Sequence, residues 1–375
     1  NADLTTNVFG GGNISKTIGT TNININSGTH TSAIYGGGNV GILEGTSNVT
    51  INGGTSSEVY GGGNQALVTN SNVYVKGGNI DNVYGGGNQS GAETTNIVIS
   101  GGTTKTIYGG SNQDGTVNKT TITANDGTVT DIFGGNNEGG TCPTSNVTVN
   151  GGNAEEVYGG NNLGGTNSIS NVSINDGQIT NVYGGGNKAV TDKPSVTIQD
   201  NANISDSVYG GGNQAGVTTN TKVEIPGGNI ENNVYGGGNE GTVSGSTFVH
   251  IKDATIKGSL YAGGNGTTAI VYGNTNATVE GTSTKIGQSV FGGGNQAATG
   301  IEANNNSTST VNIVGGTIGK NVYGGANTSV VYGKTQTNIG YDAVGDTNLE
   351  KGDIKISGTV FGGGEANASG SEIYD

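Results

Sequence analysis

Asn48-Val49-Thr50-Ile51-Asn52-Gly53-Gly54, followed after four residues by Val59-Tyr60-Gly61-Gly62-Gly63-Asn64, states once a pattern that fills the chain. In the first phrase β-branched residues sit two apart, polar residues alternate with them, and Gly-Gly closes the run. That is a half-buried strand entering a turn. The second phrase is Val/Ile-Tyr/Phe-Gly-Gly-Gly-Asn. Its aromatic falls at Phe9, Tyr35, Tyr60, Tyr84, Tyr108, Phe133, Tyr158, Tyr183, Tyr209, Tyr235, Tyr261, Phe291, Tyr323 and Phe361, fourteen copies in all. Successive copies lie 26, 25, 24, 24, 25, 25, 25, 26, 26, 26, 30, 32 and 38 residues apart.

The strand phrase returns as Asn72-Val73-Tyr74-Val75-Lys76-Gly77-Gly78 and Asn146-Val147-Thr148-Val149-Asn150-Gly151-Gly152. After its turn comes a third apolar site, at Ile80, Val129, Ile179, Ile204, Ile230, Ile256, Ile286 and Ile318, with Ala154 in that place elsewhere. Each period therefore supplies two or three short strands and no helix. A period near 25 residues built this way predicts an all-β parallel β-helix, a β-solenoid of about 14 coils, because one coil buries its few apolar residues only against its neighbours. Val49, Ile51 and Val59 are expected to point inward, with Val73, Val75 and Val83 above them. At about 4.8 Å per coil the array would make a rod about 60 Å long.

Composition agrees. Seventy-seven glycines among 375 residues, with 3 prolines and 30% hydrophobic residues, exclude collagen and leave no material for a thick core. The 14 basic residues are all lysine against 28 acidic ones, a net charge of −14. Without arginine or a basic patch, nucleic acid and anionic membrane surfaces are excluded as partners. No run of 18 apolar residues exists, so membrane insertion is not expected, and no leader-like segment opens the chain at Asn1, which reads as mature.

The whole of 1–375 reads as one repeat solenoid, with regular coils over 1–265 and coils carrying longer loops over 266–375. Insertions in a solenoid emerge as loops, so Gly266–Ser289, Gln296–Asn321 and Thr328–Thr359 are candidates for a specific contact.

Two recurrent positions invite a structural or binding role. The asparagine that closes the phrase recurs at Asn13, Asn39, Asn64, Asn88, Asn112, Asn137, Asn162, Asn187, Asn213, Asn239, Asn265, Asn295 and Asn327, with Glu365 in the last copy. Stacked amides at one turn bond to the amides above and below, and Glu365 would break such a ladder. The aromatic column has two placements. Alternation from Val59 leaves Tyr60 facing out as an exposed binding stripe, whereas a bulge at the glycines turns the ring inward as a structural ladder. The glycines are expected to supply positive φ at a corner and to let coils approach closely.

Chemistry finds little footing. No copy of the phrase continues into Gly-Lys-Ser/Thr, and no helix follows, so a phosphate cradle is excluded. Cys142 is a solitary turn thiol without a nearby histidine, and His30 and His250 are isolated surface residues. Glu155, Glu156 and Glu224 have no partners at a recognisable spacing, so no catalytic residue, metal site or cofactor is assigned, and calcium has no motif. An ice-binding threonine ladder is interrupted, since Thr50 and Thr148 share their strand-centre place with Asn24, Tyr74, Val98, Ser173, Glu224 and His250. Asn-x-Ser/Thr triplets at Asn48, Asn118, Asn146, Asn171, Asn203, Asn276 and Asn306 follow from composition.

Copies such as Asn181-Val182-Tyr183-Gly184-Gly185-Gly186-Asn187, with Gly-Gly-x-Ile turns and Asn-Val-Thr-Val strands, resemble repeat arrays of adhesin-like surface proteins of anaerobic bacteria and methanogenic archaea. The resemblance covers essentially the whole chain and implies an extracellular, right-handed parallel β-helix serving as stalk, adhesin or surface-layer component. It carries over no catalytic residue. The expected function is a noncatalytic structural or adhesive repeat at the cell surface, associating end to end or side by side or with surface glycans. The alternative is a polysaccharide-binding or polysaccharide-cleaving β-helix protein, marked by carboxylates and lysines gathered within reach of one another.

Overall fold

The computed structural model describes residues 3–340 and 349–365. Among them there is no helix, and the paired strands run parallel throughout, each strand bonded to its counterpart one period later as in a β-solenoid. Residues 1–172 with 187–190 form one compact unit, and residues 173–186 with 191–375 form a second.

In the first unit the strand Leu43–Ile51 pairs with Thr17–Ile25 on one side and Val68–Val75 on the other, so Ile23, Val49 and Val73 fall in one column. Val49, Ile51, Val59, Val73, Val75 and Val83 are completely buried. Burial of each such side chain stabilises by about 1.5–3 kcal/mol, which is how a narrow interior holds a chain so poor in apolar residues. The third apolar column is also buried, but His30, Ser56 and Thr104 interrupt it among Ile80 and Val129. A fourth inward column, Leu43, Val68, Ala92, Val117 and Cys142, lies at the start of the first strand.

Two residues before each first-strand apolar residue stands a buried hydroxyl whose role the sequence pattern did not reveal. Thr21, Ser47, Ser71, Thr95, Thr120 and Ser145 donate to the carbonyls of Gly36, Gly61, Gly85, Gly109, Gly134 and Gly159 at 2.5–2.7 Å. Each hydroxyl thereby ties the strand to the first glycine of the aromatic phrase in its own coil and satisfies a buried carbonyl.

Positive φ recurs at the closing glycine of the strand turn, as at Gly54 (87°), Gly78 (92°) and Gly102 (83°), and at glycines leading into a first strand such as Gly115 (128°) and Gly140 (83°), but not at the glycines of the aromatic phrase. Those glycines exist for close approach. A Cβ on Gly62 would sit 2.6 Å from Gly87 N and 2.7 Å from Gly86 C. Neighbouring coils bond there through backbone alone, with Gly36 N donating to Tyr60 O at 2.9 Å and Gly37 N to Gly62 O at 3.1 Å. The expectation of positive φ at this corner is thus corrected: the corner turns with ordinary dihedrals, and the missing side chains are what the packing demands.

The second unit repeats the plan. Val208, Val234, Leu260, Val290, Val322 and Val360 share one column, and Ile204, Ile230, Ile256, Ile286 and Ile318 share another. Val217, Val243 and Val271 make a small buried cluster behind the asparagine turns. Here the longer periods appear as loops, including the antiparallel bridge Ile301–Asn304. Within Thr328–Thr359, residues 341–348 lie outside the described residues.

Candidate functional site

The aromatic column faces inward. In the first unit Phe9, Tyr35, Tyr60, Tyr84, Tyr108, Phe133 and Tyr158 stack with ring centroids 4.6–5.2 Å apart and planes within 11°. In the second, Tyr183 through Phe361 stack at 4.8–5.0 Å within 8°. Tyr60 is 1% exposed, and only the last described ring, Phe361, reaches 42%. The glycines that follow each aromatic leave the ring room against the coil, so the column is unavailable as an external stripe. Burial pushes the hydroxyls of Tyr35 and Tyr108 up to about 12, helped by the negative charges of Glu58 and Asp131 respectively.

The asparagines form a ladder of amides in each unit. Each Nδ2 donates to the Oδ1 of the preceding coil, from Asn39 to Asn13 through Asn187 to Asn162 at 2.8–3.1 Å. From Asn239 to Asn213 through Asn327 to Asn295 the distances are 2.7–2.9 Å. Glu365 keeps the backbone register by donating its N–H to Ala326 O at 3.0 Å, but a carboxylate has no proton to give Asn327.

Further ladders occupy the outer face. Asn48 bonds Asn22 and Asn72 bonds Asn48, Asn52 bonds Asn26, and Gln65, Gln89 and Gln113 form a glutamine series. The amide nitrogens of Asn48, Asn146, Asn171 and Asn203 are thus occupied. A glycan on any of them would take one of the two N–H protons of a nitrogen already engaged in a coil-to-coil bond. The strand-centre register in the first unit runs Asn24, Thr50, Tyr74, Val98, Thr123, Thr148, so the interruption of the threonine ladder holds in three dimensions.

One cluster in the second unit departs from this uniformity. Register places Glu224 beside His250 and Lys252 beside Glu280. His250 Nδ1 lies 3.0 Å from Glu224 Oε2 and its Nε2 lies 3.0 Å from Glu280 Oε1. Lys222 reaches Glu224 at 3.1 Å, and Lys252 reaches Glu350 at 2.7 Å. The Glu280 side chain is only 4% exposed, and its Oε2 accepts the backbone N–H of Glu350 at 2.5 Å.

A carboxylate oxygen only accepts, so Nδ1 donates to Glu224, while Nε2 faces Glu280 at ion-pair distance without hydrogen-bond geometry; the two flanking carboxylates favour the imidazolium. The hydrogen bond to Glu224, opposed by burial and reinforced by Glu280, accordingly raises the His250 pKa above its ordinary 6.5. Burial works to raise Glu224, but bonds and charge from His250 and Lys222 outweigh it and hold Glu224 below the usual carboxylate value. Three glutamates, two lysines and one imidazolium balance to zero charge.

Three expectations are therefore corrected. His250 and Glu224 are partners, brought together by stacking from positions 26 residues apart. His30 is 4% exposed, its Nε2 3.3 Å from Ser27 O, because its place in the coil faces inward. Cys142 belongs to the strand Thr141–Val149 rather than to a turn, is fully buried, and burial pushes its thiol up to about 11; a neutral thiol out of solvent is no nucleophile.

Among the described residues no cluster of three or more His, Cys, Asp or Glu has the arrangement of a metal site, and no helix is long and apolar enough to cross a membrane. No protein-family model, curated protein or solved structure matches the chain.

Proposed function

We propose that the chain is a noncatalytic extracellular repeat protein, a surface stalk, adhesin or filament subunit of the adhesin-like kind its phrases resemble. The observation that carries this reading is the commitment of recurrent side chains to coil-to-coil bonding. Aromatic rings, turn amides and outer-strand amides each bond or stack with the same position one coil away, and the inner hydroxyls lock strand to turn within each coil. Side chains engaged this way resist unstacking and are not free to do chemistry.

The Glu224–His250–Glu280 cluster with its two lysines favours a second reading, a protein that binds or cleaves polysaccharide. Its Nδ1 is held by Glu224 and its buried Nε2 stands against the Glu280 carboxylate, and the protonated ring that these two charges favour offers substrate no proton acceptor.

Incubating the chain with neutral and acidic polysaccharides, and measuring both co-sedimentation and new reducing or unsaturated ends, separates the readings. A structural or adhesive role gives no new ends, with or without retention. Chain cleavage that is abolished in Glu280→Gln would refute it.

A further inference from the structure

We propose that the Glu224–His250–Glu280–Glu350 network is a pH-operated latch that holds residues 349–361 onto the preceding coils of the second unit and opens as His250 loses its proton. The inference is independent of any surface or adhesive role. Glu280 is its pivot: nearly buried, it stands 3.0 Å from His250 Nε2 as an ion pair on one oxygen and accepts the Glu350 backbone N–H, 70 residues away in sequence, on the other. Lys252, on the His250 strand, clamps the Glu350 side chain at 2.7 Å and stands 3.9 Å from Glu280.

What the latch holds is the last described coil. Just past Glu350, Gly352 N donates to Val314 O at 3.2 Å and Gly316 N to Asp353 O at 2.9 Å. The strand Ile354–Ile356 then pairs with Gly316–Ile318, and Val360–Phe361 pairs with Val322–Tyr323. Releasing residue 350 frees the entry to both pairings.

The turn beneath the latch is also unusual. Asp253 occupies the place of the turn glycine and is the one non-glycine residue with positive φ among the described residues, at 51°. Its backbone N–H donates to Thr284 at 2.6 Å and its carboxylate accepts from Ser283 N at 3.1 Å. This braces the turn between Lys252 and Glu280.

The charged groups around His250 are Glu224 and Lys222 from the preceding coil, Lys252 and Asp253 from its own, Glu280 from the next, and Glu350 with the adjoining Lys351 from the latched segment. Because the pKa of His250 is raised above 6.5, its stabilising charge is fully present below 6.5 and is lost as pH rises through the raised value. Because Glu224 is depressed, its contribution is present above the ordinary 4.5 and is lost only as pH falls through the lowered value. The latch is therefore closed in mildly acidic solution. Above the His250 titration, a neutral imidazole leaves at least one carboxylate facing a nitrogen that cannot donate.

Hydrogen exchange of peptides spanning 349–361, corrected for the intrinsic effect of pH, tests the latch at pH 5.5 and 8.5. The expected result is roughly tenfold weaker protection at pH 8.5, the loss of about one charge-assisted hydrogen bond, with peptides of the first unit unchanged. His250→Gln should abolish the pH dependence. Glu224→Gln, a milder change, should move the midpoint to lower pH. Equal protection of 349–361 at both pH values in the unaltered chain would overturn the proposal, as would a pH dependence that survives in His250→Gln or a midpoint unmoved by Glu224→Gln.

Discussion

Replacing Asn112 with alanine should destabilise its part of the stack far more than the same change at the ladder's first member. Asn112 is 9% exposed. Its Nδ2 donates to Asn88 Oδ1 and to the Tyr60 hydroxyl, both at 3.1 Å, and its Oδ1 accepts from Asn137 Nδ2 at 2.8 Å. Three bonds at about 1 kcal/mol each, plus part of the penalty for leaving Asn88 and Asn137 unpaired near the interior, give about 3–4 kcal/mol. Asn13 makes a single exposed ladder bond, to Asn39 at 2.8 Å, so Asn13→Ala should cost about 0.5 kcal/mol. Since each coil leans only on its neighbours, the loss in Asn112→Ala should concentrate in the coils carrying Asn88 and Asn137. Urea unfolding followed by tyrosine fluorescence gives the total, and hydrogen exchange locates it. Costs within about 0.5 kcal/mol of each other would refute the idea that the amide ladder holds the coils together.

Three further outcomes are expected. Gly62→Ala, whose Cβ would press on Gly86 and Gly87 backbone at 2.6–2.7 Å, should cost about 1–3 kcal/mol in chemical unfolding, whereas Gly363→Ala, whose Cβ would meet nothing within 4 Å, should be nearly silent. Thr104→Val should stabilise by about 1–2 kcal/mol in thermal or urea unfolding, because the Thr104 hydroxyl is buried without a hydrogen-bond partner in a column it shares with Ile80 and Val129. Alkaline absorbance titration should show the ladder tyrosines ionising late. Folded values near 12 for Tyr35 and Tyr108 against 10.0 for the free side chain mean that their contribution is intact below pH 10 and lost between 10 and 12; full ionisation near 10 with the fold intact would contradict their burial.

Most of the fold was legible because the period is printed in the residues. The alternation Val49–Ile51 and the return of the Gly-Gly-Gly-Asn corner fix the inward set and the coil length, and Asn64 and Asn88 were readable as neighbours once the period was known. Glycine conformation was not legible, since sequence does not distinguish Gly54, which needs positive φ, from Gly62, which needs an absent side chain. The hydroxyl column left a trace, Ser or Thr two residues before Val49, Val73, Ile97, Ile122 and Val147, yet its partner is a carbonyl that no sequence displays. The Glu224–His250–Glu280 contacts were hidden for a different reason. Their members stand 26 and 30 residues apart, joined only by coil register, and Glu350 reaches them across the longest period.

The most direct test of coils held by ladders to their neighbours is single-molecule stretching of the chain from its two ends. If each coil is held by ladders to its neighbours alone, extension should proceed in repeated steps of one coil, roughly 85 Å for a period of about 25 residues at about 3.4 Å each. Asn112→Ala should lower the force of the steps around its own coil and leave the others unchanged. A single all-or-none rupture, or steps that bear no relation to the coil length, would contradict it.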